Sequence, residues 1–211
     1  MYWAPKDLSE ALTKKILTND GSLKRKKGEI RYGLEMLIIL IYQVVIVLSL
    51  GFLLHIFSYT LLCLVSISIF RMFSGGAHFS KFNHCLIASI FLILAISFSS
   101  KYFPSITDID YWHIFSYPLL IILIIRYAPI LFKKENIFNK TQKKRNKFKS
   151  ISIALLLMIL SLFIPNTYSL VIGQVLIYQT FTITPFGTSI IHLLDKKLLK
   201  RGKVINEKVS L

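Results

Sequence analysis

The sequence predicts an all-α integral membrane protein of about six transmembrane helices, preceded by an amphipathic helix on the membrane surface. Two observations carry this fold class. Hydrophobic residues make up 54% of the chain, at a mean hydropathy of +0.60, and they are gathered into six long apolar segments. Charge is gathered as well: of a net +16, residues 1–32 hold +4, residues 133–149 hold +7 and residues 195–211 hold +4. At 211 residues the chain has the size of one domain, and 1–211 is read as a single membrane-embedded unit.

Residues 1–32 carry eight Lys/Arg and four Asp/Glu with no continuous apolar core. No cleavable signal peptide is therefore expected, and the start is expected to belong to the mature protein. Within this arm, PKDLSEALTKKIL puts Pro5 at a first helical position and Leu8, Leu12 and Ile16 along one face. Such a helix suits the inner membrane surface, although a solvated arm fits the same spacing.

A helical span takes about 20 apolar residues. Segments 34–54 and 56–71 form one apolar stretch too long for a single crossing, and the cluster of Gly51, His55 and Ser58 predicts a tight hairpin between them. Further spans are expected at 84–103, 113–132, 150–164 and 167–192. The last is polar for its position, with Gln174, Gln179, Thr180, Thr182 and Thr184 ahead of Pro185. It is expected to face other helices through hydrogen bonds, or else a cavity.

The charge pattern orients these spans. With 1–32 in the cytoplasm, the 71–83 linker and the basic 133–149 linker fall inside, as does the basic tail. Residues 104–112, with Asp108 and Asp110 but no Lys or Arg, fall outside, and Tyr102, Tyr111 and Trp112 sit where an outer aromatic belt belongs. Both termini are then cytoplasmic in a multi-pass protein. Because the basic blocks alternate with apolar runs, the net charge points to anionic membrane lipids and not to nucleic acid. Cys63 lies within an apolar run and Cys85 beside a basic, polar loop, so no disulfide is expected between them. No internal repeat and no Walker, Rossmann or HExxH motif is present.

Reactive side chains concentrate in RMFSGGAHFSKFNHC, residues 71–85, at the cytoplasmic end of the second and third spans. Asn83 is expected to cap the third span, which places Cys85 in its first turn, where unpaired N–H groups and the helix dipole favour a negative charge such as a thiolate. Arg71 and Lys81 add positive charge nearby. His78 is the natural base, but seven residues of straight helix would separate it from Cys85 by about 10 Å, and proton transfer needs ~3 Å. The chain must fold back, and Gly75 and Gly76 permit that turn. Their N–H groups are also candidate oxyanion donors. His84 is a rival base that points to a different helix face. Packing roles, or a metal held by His78, His84 and Cys85, fit the same residue types, though a fourth ligand is not evident.

The run from Arg71 through Gly75, Gly76 and His78 to Cys85 resembles the AgrB family of bacterial membrane endopeptidases. The resemblance extends to Tyr32, Gly33 and Glu35, to Arg126, Tyr127, Ala128 and Pro129, and to the stretch from Gln179 to Pro185, and so covers most of the chain. It implies a quorum-sensing cysteine endopeptidase of the bacterial cell membrane. Such an enzyme cuts an AgrD-type propeptide through an acyl-enzyme thioester and promotes closure of a thiolactone or lactone ring. It implies His78 and Cys85 as the catalytic pair, with Arg71, Gly75 and Gly76 in support, no metal and no cofactor, and a homodimer as the working form. The competing function class is a polytopic transporter or channel, to which the polar last span and the six-segment layout would also be suited.

Overall fold

A computed structural model of the chain describes residues 5–19, 25–77, 79, 82–103, 109–130 and 140–209. These form α1 (Pro5–Asn19), α2 (Lys27–Leu53), α3 (Phe57–Ser74), α4 (Phe82–Tyr102), α5 (Ile109–Tyr127), α6 (Lys140–Phe163), α7 (Asn166–Ile183) and α8 (Pro185–Val209). Two compact units arise, residues 1–50 and residues 51–211.

In the first unit, Pro5 opens α1 as expected, since a missing N–H costs nothing at a first helical position. The hydroxyls of Ser9 and Thr13 bond back to the carbonyls of Lys6 and Ser9, at 2.8 and 2.6 Å. Leu12 and Ile16 remain more than a third exposed. Most of α2 also belongs here. Its Leu37, Leu40, Ile41 and Val45 are all exposed, which on a helix of this hydropathy suits lipid.

The second unit begins at the hairpin. After Leu53 the chain closes a Schellman motif, with Ile56 N–H on the Gly51 carbonyl at 2.8 Å and His55 N–H on that of Phe52 at 3.0 Å. His55 takes the left-handed conformation at φ 56° that this motif requires. Helix α7 lies at the centre of the unit, packed against α3, α4, α5, α6 and α8. Phe70 of α3, Ile124 of α5, Ala154 and Leu157 of α6, and Ile172 and Leu176 of α7 form its buried core.

The polar groups of α7 explain that central place. Gln174 accepts a hydrogen bond from Ser99 of α4 at 2.9 Å, and Gln179 donates to Ser74 of α3 at 3.0 Å. These are the interhelical bonds expected of the segment; in a bilayer each is worth about 1 kcal/mol.

Among the described residues, α2, α3, α4 and α6 are each long and apolar enough to cross a membrane. The count becomes five if α7 and α8 are taken as one bent span. The expected sixth span at 167–192 is not a continuous helix, because α7 and α8 meet at an angle of 80°. The break is a helix cap. Thr184, in the extended region, accepts the Gly187 N–H on Oγ1 at 3.1 Å, while Pro185 fills the first position of α8.

Two other boundaries shift. Helix α5 ends at Tyr127, not near 132, because a proline follows at 129 and the chain beyond pairs with the 75 turn. Helix α6 starts at Lys140, within the expected 133–149 linker, since Lys, Gln and Arg are good helix formers. Residues 131–139, Asp108, and the side chains of Asp110, Tyr111 and Trp112 lie outside the described residues.

Candidate active site

The site is assembled where α3 ends. Gly75 stops the helix at φ 71° and ψ −145°, and Gly76 follows at φ 135°, conformations open to glycine and strained for other residues. Several described neighbours brace the turn. Ile130 donates its N–H to the Ser74 carbonyl at 3.0 Å, in a parallel bridge with Gly75. From α7, Gln179 Nε2 donates to the Gly75 carbonyl at 2.6 Å, and the Thr182 carbonyl accepts the Ala77 N–H at 3.2 Å. Arg71 Nη2 reaches forward to the Ala77 carbonyl at 2.8 Å. Both polar groups of Ala77, the residue before His78, are thus held. His78 and Lys81 themselves lie outside the described residues.

The Gly75 N–H donates to the Arg71 carbonyl at 3.0 Å, which commits it to closing α3. Of the two glycine amides considered for an oxyanion, Gly76 is accordingly the better candidate.

Cys85 enters from α4. That helix starts at Phe82, so Asn83 is its second residue and not its cap, and the Asn83 side chain is outside the described residues. Cys85 still falls in the first turn, among N–H groups without intrahelical acceptors. Its carbonyl accepts the Ser89 hydroxyl at 2.7 Å, and it is half-buried.

Tyr178 of α7 joins the two halves. Its phenol accepts a hydrogen bond from Arg71 and lies within electrostatic reach of the Cys85 thiol. Sequence reasoning missed this residue, because nothing local distinguishes one tyrosine of an apolar span from another. The rival base His84 has its Nδ1 3.9 Å from Oδ1 of Asp195 on α8. No group of three or more His, Cys, Asp or Glu is placed to hold a metal among the described residues.

A family model described as accessory gene regulator B, AgrB, matches residues 9–183. The chain belongs to that family. Named relatives agree. The accessory gene regulator protein B of Staphylococcus intermedius is 28% identical over 158 residues, covering 74% of this chain and 81% of its own. That of Staphylococcus carnosus is 31% identical over 144 residues, 67% of this chain and 72% of its own. An AgrB-like protein 2 of Clostridium perfringens is 25% identical over 206 residues, 90% of this chain and 95% of its own. No solved structure matches. The AgrB match takes in the whole 71–85 stretch and α7 and stops before α8, so Asp195 lies beyond it.

The two thiols differ in access, and a test follows. Cys63 is fully buried and bonded to Ser97, whereas Cys85 is partly exposed at a helix start. An alkylating reagent is expected to label the folded protein at Cys85 only, with Cys63 reacting after denaturation. Peptide mapping after brief labelling checks this; equal labelling of both sites would remove the case for a reactive Cys85.

Proposed function

We propose that the protein is a membrane cysteine endopeptidase of quorum sensing that removes the C-terminal tail of an AgrD-type propeptide and promotes ring closure in what remains. The observation that carries this reading is that Tyr178 lies within electrostatic reach of both Arg71 and Cys85, while Arg71 and Gln179 brace the 75–77 turn that precedes His78 in sequence. Family membership supports a propeptide of the accessory gene regulator system as the substrate class.

In this mechanism His78 takes the Cys85 proton, and the thiolate attacks the peptide carbonyl that precedes the tail. The oxyanion is met by Gly76 N–H and by the positive field of Arg71. As the C–N bond breaks, the imidazolium returns its proton to the departing amine, and the acyl group remains on sulfur as a thioester. A thiol or hydroxyl within the bound peptide then gives its proton to His78 and attacks that thioester. The ring closes and the Cys85 thiol is restored. Water would give a linear acid instead, so a site that excludes it favours the ring.

The setting is a bacterial cell membrane, with both termini cytoplasmic, α1 on the inner surface beside the amphipathic substrate leader, and two copies working together. Exposed Lys143, Lys144 and Arg145 at the start of α6 suit anionic lipid and the acidic tail of a propeptide. A transporter would use the polar groups of α7 to line a path; here Gln174 and Gln179 are engaged with α3 and α4.

Co-expression with the propeptide tests the reading. Cys85→Ser and Cys85→Ala are each expected to abolish tail removal at unchanged protein level in the membrane. Undiminished cleavage by Cys85→Ala would refute the peptidase.

A further inference from the structure

Asp195 is a buried carboxylate, 4% exposed, on a helix whose next charged residues are Lys196, Lys197 and Lys200. Burying a carboxylate is costly unless a partner compensates it, so its position calls for a reason. Nδ1 of His84, itself mostly covered with 23% of its side chain exposed, stands 3.9 Å from Oδ1 of Asp195, an ion-pair separation and not a hydrogen bond. His84 immediately precedes Cys85 in the first turn of α4.

We propose that Asp195 is a positioning residue for Cys85: by pairing with His84 it clamps the first turn of α4 to α8 and so sets the nucleophile against the 75–77 turn. This rests on the peptidase reading above and adds to it a residue that the family match does not reach.

The covalent path explains why a clamp is needed. Cys85 and the braced turn are joined in sequence by residues 78–84, and the turn is bonded to α7 through Gln179 and Thr182. Helix α8 leaves α7 at the Thr184 cap, only one residue after Ile183. A contact from α8 back to His84 therefore closes a loop that runs through α4, α8, α7 and the turn. Within that loop Cys85 is referred to the same helix that holds Gly75, Ala77 and, through Tyr178, Arg71. The pairing adds to the Ser99–Gln174 hydrogen bond, which ties the far end of α4 to α7. A displacement of about 1 Å at a reacting atom can cost on the order of 100-fold in rate.

The test uses the full-length protein in membranes with its propeptide and reads acyl-enzyme formation. Asp195→Ala and His84→Ala are each expected to slow that step roughly 10- to 100-fold, with little change in the propeptide concentration that half-saturates it. The double variant should be no slower than either single one, since both remove the same contact. Asp195→Asn, which keeps the shape and loses the charge, should behave as Asp195→Ala, and the exchange His84→Asp with Asp195→His should recover much of the rate. Losses that multiply in the double variant, or full rate in Asp195→Asn, would overturn the clamp. A second measurement needs no activity: with Cys63 and Cys85 replaced, cysteines at 84 and 195 should be joined by a short bifunctional thiol reagent. Absence of that cross-link overturns the pairing by itself. Retention of cleavage by Cys85→Ala would instead sink the peptidase reading and leave the cross-link result standing.

Discussion

A propeptide whose ring-closing nucleophile is changed to Ala is expected to be cut once and then to remain on the enzyme. Thioester formation needs only Cys85 and its base, whereas release by cyclisation needs the internal thiol or hydroxyl that the substitution removes. Hydrolysis is the remaining exit, and a site that favours ring closure must keep water from the acyl carbon. Intact-protein mass spectrometry should find an adduct of the propeptide less its tail, mapped to Cys85 and released by hydroxylamine. Cys85→Ala should show none, and His78→Ala should form it more slowly by ~10²- to 10⁴-fold, the usual contribution of a positioned base. Because an amide is exchanged for a less stable thioester, excess tail peptide should drive the step backwards and lower the adduct. Rapid release of a linear acid with no adduct would leave a hydrolase and remove the ring-forming assignment. A transporter would give neither cleavage nor adduct.

The parts of the fold that were readable in the sequence are those with a local signal. Pro5 starts α1, and the break between α2 and α3 falls within the cluster of Gly51, His55 and Ser58. The polar residues of the 167–192 stretch foretold interhelical hydrogen bonds, two of which Gln174 and Gln179 make. Its break was not foretold, because apolar residues on both sides of Thr184 hide it from hydropathy. The Thr184-Pro185 pair, with the N–H of Gly187 three residues after the cap, was nevertheless a usable signal for a new helix start. Asn83 misled for a related reason: it is a good capping residue, but α4 begins one residue before it. The contacts that assemble the candidate site are long-range and leave no periodic trace. Tyr178 looks like any tyrosine of a span, and Asp195 is an ordinary acid at the head of a basic tail. What did single out the 71–85 stretch was composition, an arginine, two glycines, two histidines and a cysteine between apolar runs.

Gly75→Ala is expected to be the most damaging substitution of a residue that takes no part in the chemistry. Two independent costs fall on one methyl group. At φ 71° and ψ −145° the backbone is in a region that L side chains seldom enter, a strain of about 1–3 kcal/mol. The added Cβ would also overlap the backbone carbonyl oxygen of Ile130, which cannot rotate aside as a side chain would. Relief requires the 74–77 turn and the chain at 130 to move apart. That movement breaks the Ile130 to Ser74 hydrogen bond and pulls the Gly75 carbonyl from Gln179 and Ala77 from Thr182. The peptide group ahead of His78 then loses its anchors. Cleavage should fall by at least about 100-fold, as expected when a reacting group shifts by an ångström. Gly28→Ala is the control, because it lies in the first turn of α2 with no neighbour within 4 Å of an added Cβ, and alanine is the better helix former. It should cleave normally. Membrane level and Cys85 labelling, measured alongside, separate a misplaced turn from a protein that fails to accumulate. A Gly75→Ala enzyme that accumulates and cleaves at the wild-type rate would show that the turn does not set the geometry of the reaction.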